Sequence, residues 1–302
     1  MTDSLHIAVS GASGLVGSRL CTRLEAEGYR VSRLVRRQAS PEADEILFDI
    51  PAGHIDDSRL EGVDAVVHLA GENVAAGRWS PARKQRIRDS RVMGTRLIAE
   101  TLARLERPPA VLVNASAIGF YGDRGDEILD ETSDPGEGFL PETCLAWESA
   151  TATAETAGVR VVKLRIGVVL AAEGGALAKL VPIFRAGLGG KTGDGRQWMS
   201  WITIDDLVGA IVFALTGDKL EGPVNAVGPR PETNAEFTRV LARVLRRPAI
   251  APLPAFVVST IFGEMGRELL LSSTRVQPHQ LEQAGFEFRH GTLEAALRAV
   301  LE

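Results

Sequence analysis

Gly11, Gly14 and Gly17 follow an apolar run, Leu5-His6-Ile7-Ala8-Val9-Ser10, and open a helix-periodic stretch that ends at Gly28. A strand, a tight turn and a helix N-terminus in that order aim free backbone N–H groups and the positive end of a helix dipole at one spot, and a phosphate suits that spot. The first glycine lets the chain turn, the second lets the backbone approach a pyrophosphate, and the third lets the helix pack closely on the sheet. Gly11, Ser13, Gly14, Leu15, Val16 and Gly17 are therefore expected to hold a dinucleotide. The next strand selects which one. A carboxylate about 20 residues beyond the glycines would accept hydrogen bonds from an adenosine ribose, but here the strand ends Leu34-Val35-Arg36-Arg37. Two guanidiniums with no carboxylate beside them suit a 2′-phosphate, so the expected cofactor is NADP(H).

Other reactive side chains are sparse. The histidines, His6, His54, His68, His279 and His290, lack metal-ligand spacing, so no metal site is expected. Cys21 and Cys144 are too few for a disulfide framework and fit a reducing, cytoplasmic setting. Of the tyrosines, Tyr29 precedes the second strand and lies at the wrong end of a sheet, whereas Tyr121 follows the fifth strand at the carboxyl edge, where open α/β sheets bind ligands. A net charge of −5 speaks against a general nucleic-acid binder. The arginines cluster instead on one predicted helix, at Arg83, Arg86, Arg88, Arg91 and Arg96, as a solvated face with a few ligand-facing members. With 45% hydrophobic and 24% charged residues the composition is that of an ordinary soluble protein. No apolar run is long enough for a bilayer, and no secretory leader is expected.

These groups need a frame. Strand-like runs at Leu5–Ser10, Arg30–Val35, Glu45–Asp49, Ala65–Leu69, Ala110–Ala115 and Val159–Arg165 are mostly continuous in apolar residues, the pattern of strands buried on both faces. Helical segments at 15–27, 80–106 and 141–157 alternate with them, the second opened by a Ser80 cap and Pro81. The order predicts an α/β fold: a Rossmann-type doubly wound parallel sheet with a smaller C-terminal substrate lobe. Residues 1–172 form the expected NADP-binding domain, with 204–228 returning to that core, and 173–302 form the substrate lobe. Helices are expected there at 176–186, 205–216, 234–245 and 292–301, with Thr233 and Glu236 as a capping box.

Several motifs in order resemble the extended short-chain dehydrogenase/reductase superfamily, and within it the epimerase-like (YfcH-like) branch. They are Gly11-Ala12-Ser13-Gly14-Leu15-Val16-Gly17, His68-Leu69-Ala70-Gly71-Glu72-Asn73, Ser116-Ala117-Ile118-Gly119-Phe120-Tyr121-Gly122, Gly193 to Trp201, and Ile204-Asp205-Asp206. The likeness implies an adenine pocket touching Asp49, Ile50, Leu69, Ala70 and Gly71, with Glu72 beside it, and places Arg165, Ile166 and Gly167 near the nicotinamide. The superfamily usually carries a tyrosine, a lysine four residues on, a serine and a helical asparagine. Here Trp147 stands at the tyrosine position, Thr151 at the lysine and Arg91 at the asparagine, and Ser116 matches in type. Indole has no proton to trade near neutral pH, so the usual mechanism cannot run unchanged. Ser116 and Tyr121 are the remaining catalytic candidates, and Arg91 is assigned to the cofactor.

Gly193 to Trp201 resembles the substrate loop of nucleotide-sugar enzymes, with Met199 where an arginine usually stands. A flatter, less charged ligand is expected, stacked on Trp147, Trp198 or Trp201 and held by Arg196; the competing reading makes Trp198 and Trp201 lobe core. Two functions remain open. One is an NADP(H)-dependent oxidoreductase or epimerase-like enzyme acting on a small molecule with a rearranged acid. The other is a non-catalytic NADP(H)-binding redox sensor or scaffold. A second copy of the chain is a candidate partner; nucleic acid and membrane are not.

Overall fold

The structure is a computed structural model and describes residues 4–36 and 43–302. Arg37 lies outside them. The chain runs β1 (His6–Ser10), α1 (Leu15–Ala26), β2 (Arg30–Val35), β3 (Glu45–Asp49), β4 (His54–Ile55), β5 (Ala65–His68), α2 (Pro81–Leu102), β6 (Val111–Ala117), β7 (Ile128–Leu129), α3 (Phe139–Ser149), α4 (Ala152–Thr156) and β8 (Arg160–Ile166). It continues through β9 (Val168–Leu170), α5 (Gly175–Arg185), β10 (Trp198–Met199), β11 (Trp201–Thr203), α6 (Ile204–Thr216), β12 (Gly222–Ala226), β13 (Glu232–Thr233) and α7 (Asn234–Leu245). It closes with α8 (Ala255–Phe262), α9 (Glu264–Gly266), β14 (Arg275–Val276), α10 (His279–Ala284) and α11 (Leu293–Leu301).

The main sheet has the order β12-β8-β6-β5-β1-β2-β3-β4, and every pairing in it but β3 with β4 is parallel. This is the doubly wound Rossmann-type α/β arrangement, with the order turning about β1. Both faces are covered, which is why the strands read as unbroken apolar runs. Ile7, Val9, Val67, Val113 and Leu164 pack on one face with Leu20 and Leu24 of α1 and Leu207 and Ile211 of α6. Ala8, Val66, Leu112 and Val161 pack on the other with Ile98, Ala99 and Leu102 of α2 and Ala154 of α4. The chain leaves this sheet after β8 and returns through α6 and β12, so residues beyond β8 complete its edge.

Local signals explain where elements begin. Ser80 accepts a hydrogen bond from Arg83 N with Pro81 in the first turn of α2, and Thr233 accepts one from Glu236 N at the start of α7. The segment 141–157 is not one helix: it breaks between α3 and α4, where the Thr151 hydroxyl bonds back to the Glu148 carbonyl at 2.7 Å. A third core, around Leu170, Leu177, Phe184, Trp201, Phe237, Leu241 and Leu297, joins α5, α7 and α11. No helix of the described residues is long and apolar enough to cross a membrane.

Candidate functional site

Gly11 has a φ of 68°, in the left-handed region. A Cβ there would lie 2.8 Å from the Leu69 carbonyl carbon and 2.9 Å from Ala70 N, so the turn after β5 rests on the glycine turn. At Gly17 a Cβ would meet Gly11 O at 2.2 Å, and at Gly14 it would meet the same oxygen at 3.2 Å. Gly14 is also the N-cap of α1, with no side chain capping it, so the first-turn N–H groups face the exposed Ser13–Gly14 surface, flanked by half-buried Leu15 and Val16. Ser10 ties the two turns together. Its Oγ accepts from Leu69 N at 3.1 Å and Ala70 N at 3.3 Å, which leaves its proton for His68 Nδ1 at 2.5 Å. His68 is therefore a neutral imidazole protonated on Nε2, and burial, helped by Arg91, lowers its pKa to about 3. Arg36 is exposed at the tip of β2. Half-buried Asp49 accepts from Ala52 N at 3.1 Å, and Ile50 packs against Gly94 of α2.

Strand register explains the polar part of the site. Ser10, His68 and Asn114 are lateral neighbours across β1, β5 and β6, and Ser116, Arg165 and Asn225 are lateral neighbours across β6, β8 and β12. Both rows lie on the α2/α3 face, at the carboxyl edge, above an apolar layer. In the second row the Ser116 hydroxyl donates to Glu148 Oε1 at 2.6 Å. Arg165 reaches both Glu148 oxygens at 2.9 Å and donates through its remaining Nη to the Tyr121 hydroxyl, also at 2.9 Å. That hydroxyl lies 2.7 Å from Asn225 Oδ1 and 2.9 Å from the Asp130 carbonyl. The guanidinium sits 3.5 Å above the Phe120 ring. Ser116, Tyr121, Glu148 and Arg165 are all buried. Burial pushes the Tyr121 pKa up to about 12 against the pull of Arg165, so the phenol stays protonated.

A different environment surrounds Arg91. Its Nη1 donates to the Glu72 carbonyl at 2.9 Å and the Ile87 carbonyl at 3.1 Å, and its guanidinium lies 5.0 Å from the Trp147 ring centre. A Cβ on Gly71 would come within 3.3 Å of its Cζ. Trp147 is buried and donates from Nε1 to Thr95 Oγ1 at 2.8 Å, and Thr95 continues to Asn114 Oδ1 at 3.1 Å. Thr151, buried, shares its one hydroxyl proton between the Glu148 carbonyl and the Glu155 carboxylate 2.6 Å away, and Lys163 pairs with that carboxylate at 2.8 Å. Lys163 lies in register with Asn114, one row before Ser116 and Arg165. Gly167 marks the point where the chain leaves the sheet; a Cβ there would meet Ser200 O at 2.6 Å.

The expected substrate residues separate. Arg196 and Trp198, with Asp126, Asp194 and Thr233, line a cavity of about 380 Å³. Trp198 Nε1 donates to Asp126 at 2.8 Å, and Arg275 stacks on its ring at 4.1 Å. Trp201 does not join them. It is 1% exposed and part of the third core, so a stacking role for it is corrected: β11 pairs with β9 and turns the indole inward. Trp147 is likewise no free platform, since Arg91 lies over its ring. Among the described residues no group of three potential His, Cys, Asp or Glu ligands forms. Sequence reasoning missed the pairing of Glu148 with Arg165, although an arginine inside an apolar strand signals that an acid must face it.

The model of the NAD dependent epimerase/dehydratase family matches residues 7–228, and a domain of unknown function, DUF1731, matches residues 253–300. An epimerase family protein of Mycobacterium tuberculosis is 45% identical over 291 residues, covering 96% of each chain. The structure of human epimerase family protein SDR39U1 (isoform 2) with NADPH superimposes with a TM-score of 0.90 at 32% identity, covering 98% of this chain and 99% of that one. A structure described as a nucleoside-diphosphate sugar epimerase from Corynebacterium glutamicum gives a TM-score of 0.83 at 38% identity, over 99% of this chain and 58% of that one. On this sheet order, this glycine turn and these matches, the chain belongs to the NAD dependent epimerase/dehydratase family, among the epimerase-like extended short-chain dehydrogenases/reductases.

Proposed function

We propose that the chain binds NADP(H) along the carboxyl edge of its sheet and acts as an epimerase-like oxidoreductase on a small molecule, without a tyrosine–lysine pair. The carrying observation is the glycine cradle: three positions where a Cβ would lie 2.2 to 3.2 Å from backbone, beside an uncapped helix N-terminus. The residues present fit a dinucleotide, and the NADPH in human SDR39U1 supports the same reading. Ser13, Gly14, Leu15 and Val16 would hold the pyrophosphate, Arg36 the 2′-phosphate, Asp49, Ile50, Leu69, Ala70 and Gly71 the adenosine side, and Gly167 the nicotinamide side. Residues 1–172 with 204–228 form the cofactor unit in this reading, and the remaining C-terminal residues hold the substrate.

When bound, the cofactor supplies a hydride donor or acceptor. The chain's own residues orient and exclude water. Ser116 and Tyr121 act as positioning residues: their hydroxyls fix Glu148 of α3 and Arg165 of β8 beside the end of β6. The cavity at Arg196, with Asp126 and Asp194 on its wall and the Trp198 ring already covered by Arg275, suits a small polar ligand with one anionic group for Arg196. Titration of NADPH and NADH into the purified protein tests the cofactor. NADPH is expected to bind more tightly, with Arg36→Asp weakening it by roughly tenfold or more. Equal affinities would overturn the choice of NADP(H), and binding of neither would overturn the site. One observation favours a second reading, a redox sensor: the Ser116 and Tyr121 hydroxyls and the Trp147 N–H are already spent within the protein. Consumption of NADPH across a carbonyl panel decides for the enzyme; a partner whose capture depends on the cofactor's oxidation state decides for the sensor.

A further inference from the structure

We infer that the cavity between α7 and residues 247–252 is a binding site for a small phosphate-bearing molecule with an apolar body, a phosphate monoester or diphosphate of an aliphatic alcohol. The cavity measures about 690 Å³, the size of a small-molecule site. Lys191, Arg239, Arg243, Arg246 and Arg247 line it, and among the described residues no aspartate or glutamate does. The chain as a whole is acidic, with 39 aspartates and glutamates against 34 lysines and arginines, so these cations are gathered locally. The adjoining cavity at Arg196, which shares Ala235 with this one, has Asp126 and Asp194 on its wall. Charge is balanced there, whereas here the field favours an anion.

Two of the five charges are already answered. Arg239 pairs with Glu236, and Arg243 pairs with Glu294 at 2.9 Å. The other three have no carboxylate in contact among the described residues. Lys191 Nζ donates to the Asp194 carbonyl at 3.1 Å, and Arg247 Nε donates to the Arg185 carbonyl at 3.1 Å, which leaves both Arg247 Nη groups open. Arg246 has no side-chain partner among the described residues, and its φ of 53° lies in the left-handed region just past the end of α7, a position that glycine fills without strain. A guanidinium thus stands where the backbone alone calls for no side chain. Pro248, Ala249, Ile250 and Pro252 supply apolar lining, with Ile250 77% exposed. This wall is set before any ligand arrives. Ala251 N donates to the Gly189 carbonyl at 3.0 Å and Leu253 N to the Lys191 carbonyl at 2.8 Å, and a Cβ on Gly190 would lie 2.1 Å from Ala251 O. A preformed wall lowers the ordering cost of binding. Phosphate oxygens can answer several cations at once, and an aliphatic body covers Ile250 and the prolines.

The test titrates dispersed octyl phosphate, inorganic phosphate and octanol into the purified protein by calorimetry, with the wild type, Arg246→Gly, Ile250→Ser and Arg88→Gln. Octyl phosphate is expected to bind one site per chain, about tenfold or more tighter than inorganic phosphate, because its chain adds buried apolar surface. Arg246→Gly should weaken both phosphates by about tenfold, the worth of one charge-assisted hydrogen bond, without lowering the thermal midpoint, since glycine suits the left-handed backbone. Ile250→Ser should weaken octyl phosphate by about threefold or more and leave inorganic phosphate alone. Arg88 is exposed on α2 and outside the cavity, so Arg88→Gln removes the same charge from the chain and should change neither constant. Absence of saturable octyl phosphate binding would overturn the inference, as would octanol binding equally tightly, or Arg88→Gln weakening the phosphates as much as Arg246→Gly. Capture by phosphatidic acid vesicles without binding of dispersed octyl phosphate would assign the cations to a membrane surface and overturn it as well.

Discussion

Two guanidiniums, Arg165 and Arg91, are withdrawn from water at the same edge of the sheet and are treated in opposite ways. Arg165 has a bidentate carboxylate, a phenol and an aromatic face, and nothing around it is open. Arg91 has carbonyls and an indole, and borders the turn on which a cofactor would lie. A neutralised, enclosed charge fixes architecture, since removing one partner strands the other. A charge with no carboxylate in contact among the described residues keeps more of its field for whatever binds beside it. Burial alone does not separate the two cases; the inventory of partners does.

That contrast can be broken most forcefully at Glu148. Replacing it with alanine leaves Arg165 buried and unpaired, an expected loss of about 3–5 kcal/mol in urea unfolding; a loss below about 1 kcal/mol would show that Arg165 does not depend on it. His68 tests a third solution, a base kept neutral. Its folded pKa of about 3 lies below the ordinary 6.5, so the folded state binds fewer protons between those values. Its contribution is complete above pH 6.5 and is lost as pH falls towards 3, with a slope of up to about 1.4 kcal/mol per pH unit. His68→Asn should flatten that part of the stability profile, and an unchanged profile would count against a neutral buried imidazole.

Tyr121→Phe leaves a guanidinium N–H and the Asn225 side chain without their partner, for an expected loss of about 1–3 kcal/mol. In the wild type the raised Tyr121 pKa makes stability full below pH 10.0 and lost as pH climbs through about 12. The smallest effect concerns Cys144. Its protonated, buried thiol should resist alkylation in the native protein at neutral pH and react once the chain is unfolded. Rapid native labelling would show that the corner beside Arg91 is open and differently charged.

Much of the frame was legible because its signals are local. Gly11, Gly14 and Gly17 between a strand and a helix mark a tight turn and an uncapped helix N-terminus within a few residues, and continuous apolar runs mark strands covered on both sides. The polar rows were not legible, because they depend on lateral register: nothing near Ser116 in sequence says that Arg165 and Asn225 lie beside it. Glu148 stood next to Trp147 in the chain, yet its partner is a strand away. Trp198 and Trp201 are three positions apart, and only the pairing of β11 with β9 sends the second into the core. The break at Thr151 likewise depends on one hydroxyl competing with the helix, a choice that helical periodicity does not register.

Leu15 belongs to the first turn of α1, and Gly174, the N-cap of α5, comes so near that a Cβ on it would lie 2.8 Å from Leu15 Cδ1. One leucine is thus a shared wall between the uncapped N-terminus of α1 and the segment that leads into α5. Whatever displaces Leu15 from one side meets Gly174 on the other, and any coupling between ligands on its two sides must run with equal strength in both directions.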